Sequence, residues 1–515
     1  MGGKTGLTAL SRAWHSQGST RTRSSHVIEP TPPLARLSPD QLNGRPRPAL
    51  RILQFGGGNF LRGFMDWKID LLNQASGSDW GIVALRSIGS AEGSALNAQD
   101  GLYTVVSRGL DDEGVTRSEA RVVGSVLGEV SCMTQWDQVL AMARDPAVQM
   151  VVSNTTEAGI VYAPGMTPRD APPPSFPAKV TRLLLERWRT LGHLRGTGWQ
   201  FLPCELTTDS GDLLRSIVLR HATEWEVEAG FVEWIADENV FFNTLVDRIV
   251  TGHPGAAAAA LEAELGYRDP CLTTAELYHL LVIETPAGRP KPKLRLADFD
   301  AGTIEVADAG PYRLRKVALL NGGHTALCPL ALICGVETVG EAVRDPDLSA
   351  VLRQVLDREI KPFVPLPREE LDAFAKDVLR RFANPFLQHR WHDISLNGLV
   401  KYQGRLLDRL TAYAAQEGDL PPILTLSLAG WLAFYLGRIP GADRLPPRDA
   451  PQVLARMAEI GRDPEGQVAQ FLSEPIFWGR SIATPALISA VTRDFARLTG
   501  GPVTPQMIAN WVRVP

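Results

Sequence analysis

Residues 50–64 read LRILQFGGGNFLRGF, and this stretch decides the fold. Leu50 to Phe55 is a short apolar run, Gly56-Gly57-Gly58 breaks it, and Phe60, Phe64, Trp67 and Leu71 then recur at helical spacing to Asn73. The order is strand, glycine turn, helix. Two further short apolar runs, at 81–85 and 149–153, are bounded by turn residues, and a helical pattern covers 135–144 between them. Strands alternating with helices over short connections imply a parallel, doubly wound sheet of the Rossmann type.

Working outward, the 515 residues exceed what one compact core accommodates, so more than one domain is expected. Beyond about residue 312 the strand signal vanishes. The segments 347–363, 368–382, 424–436, 451–460, 466–471 and 485–498 all read as amphipathic or buried helices. The expected organisation is an α/β Rossmann-like domain over 49–311 and an all-helical domain over 312–515. Residues 1–48 differ from both, with seven Lys/Arg against two acids and no sustained period, and read as a disordered or atypical tail. Gly3-Lys4-Thr5 within it only imitates the end of a phosphate loop, because no glycine or strand stands before it.

Composition excludes several classes. With 53 Lys plus Arg against 57 Asp plus Glu, the net charge of -4 disfavours a nucleic-acid binder. An anionic substrate must then be met by a local cluster of cations. Five cysteines without CxxC spacing suggest neither disulfides nor zinc and fit the reduced cytoplasm. The longest apolar run, 317–336, carries Asn321, His324 and Pro329 and does not read as membrane-spanning.

Candidate site residues follow from the chemistry of their surroundings. Gly56 and Gly58 suit a dinucleotide turn, the first for tightness and the second for approach of the pyrophosphate, although Leu61 stands where a third glycine is usual. The second strand ends at Arg86 rather than at an acid for the ribose hydroxyls, so residues alone leave NAD and NADP open. In KVALLNGGH, Lys316, Asn321 and His324 fall within an arc of roughly 140° on an ideal helix. Their neighbours Val317 to Leu320 are apolar, and polar groups embedded this way must be hydrogen-bonded or functional. A lysine beside a developing alkoxide serves as acid or base if its pKa is lowered, and Arg313 and Arg315 are sequence neighbours able to push it that way. An asparagine N–H stabilises the oxyanion and His324 suits a second substrate hydroxyl. Ser153-Asn154-Thr155-Thr156-Glu157 follows the third strand and reads equally as ligand contact or as a turn with a helix cap. His389, His392 and Asp393 lack metalloprotease spacing, so no metal is expected.

Taken together, FGGGNFLRGF (55–64), NAQDGLYT (97–104), SNTTEAGI (153–160), TLVDRIVTG (244–252), KVALLNGGHTAL (316–327) and the NPF…HDISLNGLVK stretch (384–401) resemble the polyol-specific long-chain dehydrogenases. That family includes mannitol dehydrogenase, fructuronate reductase and tagaturonate reductase. The resemblance implies an NAD-linked oxidoreductase with a nucleotide domain, a helical domain, a cleft between them and no catalytic metal. It implies Lys316 as general acid/base, Asn321 on the carbonyl oxygen, His324 positioning substrate, Glu157 on a proton path and Lys401 in the substrate pocket. Gly56, Gly58, Asn59 and Phe60 fall in its nucleotide loop, with Arg86 and Thr155 nearby, and Val246 and Asp247 in a nicotinamide-side segment. Mannitol-type members carry Cys-Asp-Asn where this chain has Cys204-Glu205-Leu206, so a second oxyanion donor is missing. That departure favours the uronate branch, whose wording is closest in the tagaturonate reductases (altronate oxidoreductases). Reduction of D-tagaturonate to D-altronate is the implied reaction, with fructuronate reductase, a mannitol-type dehydrogenase or a nucleotide-binding regulator as alternatives. Lys401, Arg390 and Arg62 are the expected partners of a substrate carboxylate. The expected state is a monomer or small homo-oligomer, without membrane or nucleic-acid partners.

Overall fold

The computed structural model describes residues 34–155, 159–441, 443, 445–463 and 465–513. Among these, thirteen strands form: β1 (Ala49–Phe55), β2 (Trp80–Arg86), β3 (Tyr103–Leu110), β4 (Thr116–Val123), β5 (Val126–Ser131), β6 (Met150–Ser153), β7 (Gln200–Pro203), β8 (Val240–Phe241), β9 (Thr244–Asp247), β10 (Val250–Gly252), β11 (Thr273–Glu276), β12 (Leu280–Glu284) and β13 (Thr303–Val306). The central sheet runs β5-β2-β1-β6-β7-β8, every pair parallel. Ile52, Leu53 and Phe55 are fully buried, because a central parallel strand is covered on both faces and has no polar side to show. From β1 the chain winds outward to β2 and β5, then returns to β6 on the other flank. The order therefore reverses between β1 and β6, where Phe55 pairs with Ser153 and a crevice opens at the carboxyl ends.

Two smaller sheets, β10-β11-β3-β4 and β13-β12-β9, extend the domain and were not expected from the sequence. Thr116–Val123 is mostly exposed, and β9 and β11 are only four residues each, so none shows a long apolar run. The second half is helical from Gly310 onward. Its spine is the helix Gly310–Ile333, long and apolar enough to cross a bilayer by composition, with 83% of its most apolar 18-residue window buried inside the fold. Helix Pro422–Tyr435 packs across it at Gly430, where a Cβ would lie 3.1 Å from Pro329.

Order begins before Ala49, which corrects the expected extent of the tail. Leu37 and Leu42 are buried with Leu102 and Tyr267. Arg45 pairs with the buried Asp70 at 2.6 Å, and Arg47 donates to the carbonyls of Asp100 and Val126. Arg45 and Arg47, two of the arginines that made this segment look unstructured, serve as donors to the sheet domain, and residues 1–33 of the expected tail lie outside the described residues. A chain starting at Ala49 is expected to be about 3 kcal/mol less stable than one starting at Leu34, because two buried leucines and one of the two guanidinium partners of Asp70 are lost together. Thermal denaturation of the two truncations measures the difference.

Candidate active site

The chemistry gathers where the helical domain meets β9. Within the helix Gly310–Ile333, residues Lys316–Asn321 are wound as a π-helix. That winding closes i to i+5, so Lys316 and Asn321 stand one turn apart on one side instead of straddling the 140° arc of an ideal α-helix. Lys316 Nζ donates to the Val246 carbonyl at 2.9 Å and lies 3.5 Å from Asp247 Oδ1. Arg313 and Arg315 do not face it. Arg313 reaches Asp209, and Arg315 lies over the Phe374 ring and towards Glu370. The expected cationic push on Lys316 is thus replaced by a neighbouring carboxylate.

Asp247 is itself held by a buried guanidinium. Arg381, on helix Arg368–Phe382, donates through both Nη atoms to Asp247 at 2.9 Å and through Nε and Nη2 to Glu276 at 3.0 and 2.8 Å. All three side chains are 4% exposed or less. Burial opposes the charge on Asp247, but Arg381 and Lys316 outweigh it and hold its carboxyl below the usual value. At Glu276 burial wins over Arg381 and the pKa rises.

A cleft of about 410 Å³ opens beside this network, lined by Lys316, Asn321, His324, His389, Lys401 and Arg405 among others. His324 stacks on Phe382 with ring centroids 3.9 Å apart, and its buried Nε2 has no hydrogen-bond partner. Burial, then His389 and the nearby cations, push its pKa well below the ordinary value. The ring is neutral at pH 7 and able to bind a hydroxyl. Lys401 donates to the Ile394 carbonyl at 3.0 Å. Arg405, one turn further on, donates to Thr325 Oγ1 at 3.0 Å and leans on the Asn321 carbonyl. Burial lowers the pKa of both cations. Among the described residues neither pairs with a carboxylate. Arg405 was missed in the sequence, where its only signal is a four-residue spacing from Lys401.

Other expected residues go elsewhere. Arg390 lines a separate hollow with Glu337 and His392, away from the cleft. Arg62 binds Asn59 Oδ1 at 2.6 Å beside the glycine turn. Asn59 packs under Gly252, where a Cβ would overlap its amide, and Phe60 stacks on Phe64. His389 faces the cleft while His392 binds the Pro446 carbonyl, so the two do not converge on a metal. Glu157 lies outside the described residues. Leu206 is exposed, and Glu205 turns back to accept from Ser153 Oγ and from the Thr155 N–H and hydroxyl. Neither lines the cleft, in keeping with the missing second donor.

The glycine turn forms a second cavity of about 700 Å³ at the reversal of strand order, lined by Gly56–Gly58, Arg86, Asn154 and Thr155. Gly56 has φ +110° and a Cβ there would lie 3.0 Å from the Asn154 carbonyl, so only glycine fits. Gly58 caps the following helix and has open space around it. Leu61 is buried in the core, and Gly63 makes the close packing expected of a third glycine, since a Cβ there would meet Val250 at 2.7 Å. Backbone N–H groups at a helix start, bare of side chains, beside a cavity of this size fit a dinucleotide pyrophosphate.

Comparison with known proteins agrees with this architecture. A family model described as the mannitol dehydrogenase Rossmann domain matches residues 50–296, and one described as the mannitol dehydrogenase C-terminal domain matches 308–499. Altronate oxidoreductase of Yersinia enterocolitica is 44% identical over 459 residues, covering 88% of this chain and 94% of that protein. The protein of the same name from Pectobacterium atrosepticum is 47% identical over 398 residues, 77% and 81% of the two chains. Among solved structures, a substrate-free D-sorbitol dehydrogenase superposes with a TM-score of 0.75 at 22% identity, covering 93% of this chain and all of that one. The mannitol 2-dehydrogenase of Pseudomonas fluorescens, a ternary complex with NAD and D-mannitol, gives 0.65 at 21%, covering 93% and 98%. At those identities the two structures speak to the fold alone.

Replacing Arg381 by Met leaves Asp247 and Glu276 buried without their cation, and should cost about 3–5 kcal/mol at pH 7. The sign with pH should reverse. In the native protein Asp247 contributes stability at neutral pH and loses it as pH falls through its depressed pKa. In the variant both carboxyls have raised pKa values, so it should recover stability relative to wild type from pH 7 towards about 5. Urea denaturation across that range tests it.

Proposed function

The chain belongs to the mannitol dehydrogenase family, and on that premise we propose that it is an NAD-dependent altronate oxidoreductase, interconverting D-altronate and D-tagaturonate. The observation that carries the uronate assignment is the pair Lys401 and Arg405, two partly buried cations in the cleft without a carboxylate partner among the described residues. Buried cations of this kind are costly unless an anion completes them, and a substrate carboxylate does so. The names of the relatives point the same way. The five free cysteines accord with the reducing cytoplasm as the working compartment.

When bound, the nicotinamide supplies or accepts the hydride. The protein handles the oxygen and its proton. Lys316 spends one N–H on Val246 and points another towards Asp247, which fixes the ammonium and leaves its third donor for the substrate oxygen. In reduction it gives that proton to the developing alkoxide, and in oxidation it takes it back. To the Asn321 amide, one π turn away on the lining of the same cleft, we assign the stabilisation of charge on that oxygen. The neutral His324 binds an adjacent hydroxyl through its unpartnered Nε2. Glu157 is proposed, on the family resemblance, as the acid along which the proton exchanges with solvent.

Lys316→Met should lower kcat by about 10²–10⁴-fold while NADH binding, read by fluorescence, is retained. Lys401→Ala and Arg405→Ala should each raise KM for tagaturonate by about tenfold or more and change little for fructose. A wild-type KM for tagaturonate in either variant removes that residue from the assignment. Following NADH absorbance with tagaturonate, fructuronate and fructose in parallel tests the substrate itself. Equal rates on fructose and tagaturonate would overturn the uronate reading.

A further inference from the structure

The cavity at the glycine turn has an acid that β2 does not supply. Glu129 lies near the end of β5, the strand beside β2 in the sheet, and lines the same cavity as Gly56–Gly58 and Arg86. Its side chain is only 9% exposed. Oε1 accepts from Arg86 Nη1 at 3.2 Å. Oε2 has no donor among the described residues, and it faces Gly57, where a Cβ would sit 3.3 Å away. A carboxylate with a free oxygen beside the phosphate turn can accept from a vicinal diol.

The backbone of Glu129 is clamped in place by a motif that the reaction does not otherwise use. Asn97, at the start of NAQDGLYT, donates Nδ2 to the Glu129 carbonyl at 2.9 Å and accepts the Glu129 N–H on Oδ1 at 2.7 Å. The amide thus pairs with Glu129 as a neighbouring strand would. Gly128 makes room for it, since a Cβ there would fall 2.9 Å from Asn97 Oδ1. Asn97 and Gly128 are explained by the need to hold Glu129 at this depth.

We propose that Glu129 is the residue that selects the dinucleotide: its carboxylate accepts the ribose hydroxyls of the adenosine half and repels a phosphate carried on the 2'-oxygen. This rests on the nicotinamide-dependent reading above. Arg86, which by sequence alone suits a 2'-phosphate, has its charge met by Glu129 and serves to hold that carboxylate against the turn. An NADP phosphate would have to lie beside an anion already committed to the nearest cation, and like charges in a partly desolvated site repel strongly.

The test is direct binding of NADH and of NADPH, by protein fluorescence or calorimetry, without any sugar acid. Wild type should bind NADH at least about tenfold more tightly than NADPH. Glu129→Gln, which keeps the shape and removes the charge, should shrink that ratio about tenfold, chiefly by improving NADPH. Adding Arg86→Ala to it should abolish the NADPH gain, because the freed guanidinium is what receives the phosphate. Asn97→Ala, a positioning change, should shift the ratio in the same direction with little change in thermal stability. Wild type binding NADPH as well as NADH, or a Glu129→Gln ratio within about twofold of wild type, overturns the inference and leaves the altronate activity standing. Wild type binding neither dinucleotide removes both.

Discussion

A single buried guanidinium holds the reaction centre together. Arg381 comes from the helical domain, and both carboxylates it grips, Asp247 and Glu276, come from the sheet domain. Its planar fork meets two carboxylates with four hydrogen bonds, one more than an ammonium has donors for. Asp247 then stands against Lys316, so the position of the ammonium depends on a contact made across the domain boundary. The cleft exists because those two strands and that helix cannot separate without exposing three charges to each other's absence. This is why the small sheets built from β9 and β11 matter more to the site than their length suggests.

What the sequence discloses follows from how local each signal is. Residues 50–64 are legible because a doubly covered strand must be apolar throughout and the turn after it must be glycine. The helices from 368–382 onward are legible because one face of each meets a core. Lys316, Asn321 and His324 stand out because apolar neighbours surround them, although the π winding that aligns the first two leaves no trace in residue type. The β3–β4 hairpin was not legible, since Thr116–Val123 is mostly exposed and polar. Arg405 and Arg381 escaped for another reason. A cation on an amphipathic helix looks the same whether it meets solvent or a partner from a distant strand. Arg390 shows the converse error, a plausible cation whose extended bridge to Thr338 sets it in a different hollow.

The two cavities divide the task between the domains. The glycine cavity belongs wholly to the sheet domain, and its turn tolerates little change because Gly56 has no room for a side chain. The cleft is built from side chains of both domains and is the part able to vary. Family members that share the first and alter the second would handle different polyols with one dinucleotide site. Lys401 and Arg405, on the variable side, are where a preference for an acid sugar would be written.

The wide winding at Lys316–Asn321 carries a cost and a consequence. Seen as a helix with one surplus residue, it would be mended by deleting any one of the four apolar residues inside it. The shortened chain would gain regular backbone bonds and still hold the lysine and asparagine about one turn apart, now four residues from each other. An unshortened chain wound regularly would instead part the two by about 140°, so the surplus residue and the wide turn have to arise or vanish as one.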